Sequence, residues 1–190
     1  MMETAIALKE WAVIAQAMAA GEQVILLRKG GIQDPSGAFA LEQREFLIYP
    51  TWEHQKLEWI REPFREKYRT ILNAKEPAAQ IPFSVYAGVA YHAEIKNPAV
   101  FKRLEKYHLW TPEFFAHQAE YRPQSPTLLV VVRAYQLKKS VEVSLEPDYA
   151  GCKSWVTLRK PVSIDGAEPV IENRKFRTIL EEIRDILEKK

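Results

Sequence analysis

A single cysteine, Cys152, stands among 190 residues. Alone it forms neither an internal disulfide nor a zinc cluster, and that favours a reducing compartment. Long apolar runs are lacking as well. None approaches the roughly 18 residues of a membrane span, so no membrane contact is expected. The opening MMETAIALKEWA carries acids and no extended apolar core, unlike a secretory leader. A cytoplasmic protein is the expectation. An excess of one charge is missing too, since 27 Lys and Arg face 25 Asp and Glu. This balance excludes a bulk polyanion-binding surface and leaves room only for a local basic patch. The four histidines, His54, His92, His108 and His117, follow neither an H-x-x-x-H nor an HExxH spacing. No metal site and no cofactor is expected.

What is present reads as a folded globular chain. Hydrophobic residues make up 47% and charged residues 27%, too apolar for disorder. A chain of this size buries about 70% of its unfolded surface. One domain over 1–190 is expected, or two tightly packed halves, 1–80 and 81–190.

Local patterns predict the elements. Thr4 to Ala20 is Ala-rich and predicts a helix, capped by Thr4 and closed by Gly21. Val24–Arg28 is a continuous apolar strand. Gly30-Gly31 and Asp34-Pro35-Ser36-Gly37 are turn signals, and Phe46–Tyr49 is the returning strand. Thr51 is placed to cap a helix opening at Trp52, which Pro63 kinks or restarts. Residues 81–91 alternate with strand period. Asn97-Pro98 and Thr111-Pro112 are matched helix starts. Leu128–Leu137, Val141–Leu145 and Cys152–Leu158 are strands. Arg174–Lys189 is an amphipathic helix with Phe176, Ile179, Leu180, Ile183 and Leu187 on one face. The fold class is α+β, with a mixed, strongly curved sheet or a PUA-like barrel flanked by helices.

The segments LKEWA (8–12), LLRKGGI (26–32), FLIYPTWEHQ (46–55) and YAGCKSWVTL (149–158) together resemble the bacterial family known as domain of unknown function 1802. The likeness runs over nearly the whole chain. It implies no catalytic residues, because that family has no established activity. GVAYHAEIKNPAVFKRL (88–104) is similar to the strand–helix element of PUA-like barrels, the group that includes ASCH and EVE domains. That likeness implies a small mixed barrel and an RNA or modified-base ligand.

Two clusters carry chemistry. Arg28, Lys29, Gly30 and Gly31 offer two cations, expected to be solvent-reachable, beside a glycine turn whose N–H groups cradle anions. The spacing is not that of a P-loop. Thr51, Trp52, Glu53, His54 and Gln55 form a polar group at the expected helix start, where the dipole favours a carboxylate and lowers a histidine's proton affinity. If the returning strand runs antiparallel to the first, the two clusters share one pocket. Trp52, Trp110 and Trp155 flank polar turns and are the candidates for stacking a base. Glu94-Ile95-Lys96 has the ExK form of metal-dependent nucleases, but the preceding strand supplies no second acid. The leading expectation is a binding module for a phosphate-bearing ligand, a nucleotide or a nucleic acid. The alternatives are a metal-dependent nuclease or phosphodiesterase and a non-catalytic interaction subunit.

Overall fold

The computed structural model describes residues 2–29, 41–95, 97–121 and 123–188. The predicted first helix is two elements. Glu3–Trp11 is a strand, β1, and only Ala12–Ala19 is helical, α1. Helix propensity lost here to position: β1 lies between two other strands and buries Ala7 on one face and Leu8 on the other. Tertiary burial of this kind routinely overrides propensity. Gly21 closes α1 as expected, at a φ of +73°, the left-handed conformation that glycine adopts without cost.

The remaining strands are β2 (Ile25–Arg28), β3 (Glu45–Thr51), β4 (Gln80–Ile95), β5 (Thr127–Ser144), β6 (Trp155–Ser163) and β7 (Glu168–Pro169). The helices after α1 are α2 (Glu62–Lys67), α3 (Arg69–Asn73), α4 (Val100–Arg103), α5 (Pro112–Glu120) and α6 (Asn173–Glu188). The sheet order is β2-β5-β4-β3-β1-β6, with β7 added to β5. β1 and β3 are parallel, and the other pairs are antiparallel. The expected hairpin of β2 with β3 does not form. β2 pairs with β5 instead, so its own partner lies about a hundred residues away and left no local signal.

The sheet is mixed and strongly curved, but it does not close into a barrel; β2 and β6 are its two ends. Curvature is visible in one contact. Arg28, on terminal β2, donates to the carbonyl of Lys9 (2.7 Å) and to Glu10 Oε2 (2.9 Å) on β1, four strands along the path. Bulges at Phe83/Val85 and Val89/Tyr91 bend the long β4–β5 ribbon, as an extra residue on one strand does.

Alternation along the strands builds two cores. Phe46 and Ile48 join Leu8, Ile14, Leu26 and Val130 on one face. Leu47 and Tyr49 join Phe83, Tyr149 and Val156 on the other. The predicted face of α6 docks on the first core, with Phe176 and Ile183 buried and Ile179, Leu180 and Leu187 half-buried. Each large side chain so buried contributes about 1.5–3 kcal/mol.

Candidate ligand-binding cleft

Three strand ends meet beside one another. β1 and β3 run parallel and finish level, Trp11 opposite Thr51. Past Leu47, β3 has no β4 partner on its outer side, which is why Pro50, lacking an N–H, is tolerated there. The end of β2 and the Gly151–Ser154 approach to β6 complete the rim. Between them lies a cleft of about 250 Å³.

The cleft gathers Lys9, Arg28, Lys29 and Lys153 against two carboxylates, Glu10 and Glu53. Their partners differ in kind. Arg28 forms an ion pair with Glu10, both side chains largely buried at 14% and 9% exposure. Burial pushes the Glu10 carboxyl above its usual range, while the Arg28 guanidinium and the Trp11 N–H pull it down. The three lysines rest on neutral oxygens. Lys9 Nζ donates to the Gly151 carbonyl (2.9 Å), and Lys29 Nζ to the carbonyls of Gln118 (2.7 Å) and Ala119 (3.2 Å). Lys153 Nζ donates to the Asp148 carbonyl. Burial lowers the proton affinity of Lys9 and Lys29, as it does for any cation taken from water. Among the described residues no salt bridge neutralises these three lysines. The result is a positive cleft.

Arg28, Lys29, Thr51, Glu53 and His54 thus line one cleft, though not through the hairpin expected from the sequence. Gly30 and Gly31 lie outside the described residues. The expectation that Arg28 and Lys29 are freely solvent-reachable is corrected: Arg28 bridges to β1, and Lys29, 8% exposed, satisfies carbonyls at the end of α5. Thr51 does not cap a helix. It ends β3, and its hydroxyl donates to the Glu10 carbonyl at 3.3 Å. No helix opens at Trp52; residues 52–56 turn, and the next α-helix begins at Glu62 with Pro63 in its first turn. Gln55 accepts the Val13 N–H (3.4 Å) at the start of α1 and donates to the Ile71 carbonyl (3.0 Å). It and Trp52 line no wall of the cleft. Of the tryptophans proposed for stacking, Trp110 is buried, whereas Trp52 and Trp155 are half-buried, Trp155 edge-on to Phe46.

His54 is exposed at the cleft with φ +61°, the only non-glycine residue in the left-handed region among the described residues. Such conformations cost free energy and concentrate at functional sites. Lys9, Lys153, Ser154, Gln118 and Tyr121 were not singled out by the sequence. Lys9 and Lys153 do sit within LKEWA and YAGCKSWVTL, two of the segments that carry the family resemblance. Glu94 lies exposed on β4 opposite Leu128, and Lys96 is outside the described residues. No three His, Cys, Asp or Glu side chains form a metal-sized group among the described residues. Among the described residues no helix is long and apolar enough to cross a membrane.

A second hollow of about 470 Å³ adjoins the cleft and shares Lys9, Thr51, Glu53 and Gly151 with it. Its other walls are Tyr49, Pro77, Leu145 and Pro147, with Glu76 and Glu146. Burial, then Glu76, Tyr149 and Glu53, push the Tyr49 hydroxyl up to about 12, so Tyr49 stays a neutral donor.

Residues 7–182 match the family model described as domain of unknown function DUF1802, and the chain belongs to that family. No curated protein sequence matches it. The similar solved structures include ASCH from Zymomonas mobilis, at 12% identity, TM-score 0.43, covering 82% of this chain and 87% of that one. A tyrosine-to-phenylalanine variant of the same protein gives 10% identity and TM-score 0.46, covering 82% and 90%. These are members of the group named by the strand–helix resemblance at 88–104.

Proposed function

We propose that the cleft binds a phosphate-bearing ligand of nucleotide size. The observation that carries this reading is the convergence of Lys9, Arg28, Lys29 and Lys153 on a cleft with two carboxylates, three of the four cations being held by neutral carbonyls. Cations tethered this way are oriented without losing their charge, which suits charge-assisted bonds to phosphate oxygens. His54 adds a ring at the mouth.

The adjoining hollow extends the reading beyond bare phosphate. It has apolar walls and three carboxylates, Glu53, Glu76 and Glu146, so it suits a ligand part that is planar and rich in hydrogen-bond donors. A phosphate in the cleft and a sugar and base in the hollow meet both requirements. A long polyanion laid across both would be repelled by the acidic part, so a mononucleotide or a single-strand end fits better than a duplex.

Titrating the protein with inorganic phosphate, a mononucleotide and single-stranded and duplex oligonucleotides, with and without magnesium, tests the reading. The mononucleotide should bind more tightly than phosphate, without magnesium, and more weakly as salt rises. Absence of binding by every phosphate compound would end the proposal. Magnesium-dependent cleavage of an oligonucleotide, lost in Glu94→Ala, would replace it with the nuclease reading.

A further inference from the structure

A separate cavity, about 490 Å³, opens between α4, the 105–112 segment and α5. It shares no wall with the cleft. Phe101, Phe115, Pro98, Pro112 and Ala116 make it largely apolar, and His108 and Trp110 belong to its wall. Small-molecule sites have this composition, apolar surface with a few placed polar groups.

The polar groups here are unusual in being unpaired. His108 and Trp110 are each 2% exposed, yet His108 Nδ1 and Trp110 Nε1 have no hydrogen-bond partner. Buried polar atoms are nearly always paired, and each exception calls for an explanation. The tautomer of His108 follows from its other nitrogen. Nε2 lies 3.2 Å from the Phe101 carbonyl oxygen, which only accepts, so Nε2 carries the hydrogen. Burial and the nearby Arg61 push the ring's pKa down to about 4 and keep it neutral. Nδ1 is therefore an unused acceptor and the Trp110 indole N–H an unused donor, on rings stacked 5.7 Å apart. The two cations of the wall, Arg61 and Lys102, stand with Glu105, which Arg61 already engages at 3.1 Å.

We propose that this cavity is a ligand site for a small, uncharged, planar molecule bearing a hydrogen-bond donor beside an acceptor, such as a cyclic amide or N-heterocycle. Its acceptor takes the Trp110 N–H and its donor faces His108 Nδ1, while its ring lies among Phe101, Phe115 and the two prolines. His108 and Trp110 both belong to the wall, while these two nitrogens are themselves shielded, so binding requires the ring edges to turn toward the ligand. An anion is disfavoured because the aromatic walls would strip its water, while Arg61 is already engaged by Glu105 and Lys102 is exposed to solvent.

The test uses the intact chain labelled with nitrogen-15 and the probe 2-pyridone, which carries a donor and an acceptor side by side. The Trp110 indole signal is identified by its loss in Trp110→Phe. 2-Pyridone should move that signal saturably. Toluene, matched in size but without polar groups, and N-methyl-2-pyridone, which lacks the donor, should each bind about tenfold or more weakly. Trp110→Phe should lower 2-pyridone affinity by about tenfold, read from the backbone signal of Phe115. Ala116→Trp, at an exposed position of α5, should fill the cavity and abolish the response with the melting temperature unchanged. No saturable shift in the wild type, equal affinity for toluene, or a shift that survives in a folded Ala116→Trp protein each overturns the proposal.

Discussion

The cleft at the strand ends and the cavity beside α5 are made of opposite materials. In the cleft, lysines donate to backbone carbonyls and their charge remains available. In the cavity, two buried ring nitrogens have no hydrogen-bond partner, and most of the wall is apolar. One site is oriented and electrostatic; the other is apolar and short of hydrogen bonds. Helix α5 joins them, since Lys29 of the cleft holds its last turn while Pro112 and Phe115 of its first turns line the cavity. The difference teaches what kind of ligand each interior would suit. Leftover charge selects an anion at a distance, whereas unpaired neutral groups select a matched edge at contact.

The comparison breaks most readily at Arg28, the cation of the cleft that is engaged rather than available. Arg28→Ala leaves the buried Glu10 carboxylate without its cation, a change that costs about 3–5 kcal/mol. Urea unfolding at neutral pH should read that loss. Glu10 already binds its proton more tightly in the fold than in the open chain, and removing Arg28 strengthens this. The deficit should therefore shrink as pH falls and Glu10 takes up a proton. A loss under about 1 kcal/mol would mean that Arg28 is a ligand group and not a strut.

His108 sharpens the other side. Its folded pKa lies near 4, below the ordinary value of 6.5, so the unfolded chain binds the extra proton between those values. Its contribution to stability is complete above about pH 6.5 and is lost progressively as pH falls toward 4, amounting to about 3 kcal/mol. His108→Phe, if it folds, should flatten that part of the curve of stability against pH. An unchanged acid limb would show that His108 is not the group responsible.

Lys29 tests whether α5 is held from the cleft. Lys29→Ala leaves the carbonyls of Gln118 and Ala119 to water and should cost about 1.5 kcal/mol, with hydrogen exchange quickest in the last turn of α5. Exchange unchanged in that turn would deny the link. The smallest effect belongs to His54. His54→Gly relieves a left-handed conformation and should raise stability by about 0.5–1 kcal/mol while weakening the cleft's ligand. A fall in both quantities would make the residue structural.

Much of the fold was legible because its signals are local. The alternation at 81–91, the Thr111-Pro112 start, the apolar run at 128–137 and the stripe of α6 each depend on neighbours in sequence. β1 was hidden because Ala-rich segments favour helix and only burial between β3 and β6 makes this one a strand. The β2–β5 pairing was hidden because its register is set by contacts a hundred residues apart. The lining of the candidate cleft was legible in part. Arg28, Lys29, Glu53 and His54 announced themselves as charge near turns. Lys9 and Lys153 carry no local signal; the parallel β1–β3 ends and the approach to β6 bring them to the cleft. Backbone carbonyls as partners for lysines leave no trace in a sequence.

The central claim is that lysines held by carbonyls, and not those merely on the surface, bind phosphate. Calorimetric titration of a mononucleotide into wild type, Lys153→Ala, Lys9→Ala and the exposed control Lys160→Ala tests it most directly. The account predicts a loss of about tenfold in affinity for each cleft variant, unchanged melting for Lys153→Ala, wild-type affinity for Lys160→Ala, and a shallower salt dependence in both cleft variants. Equal affinity in all four proteins would contradict it.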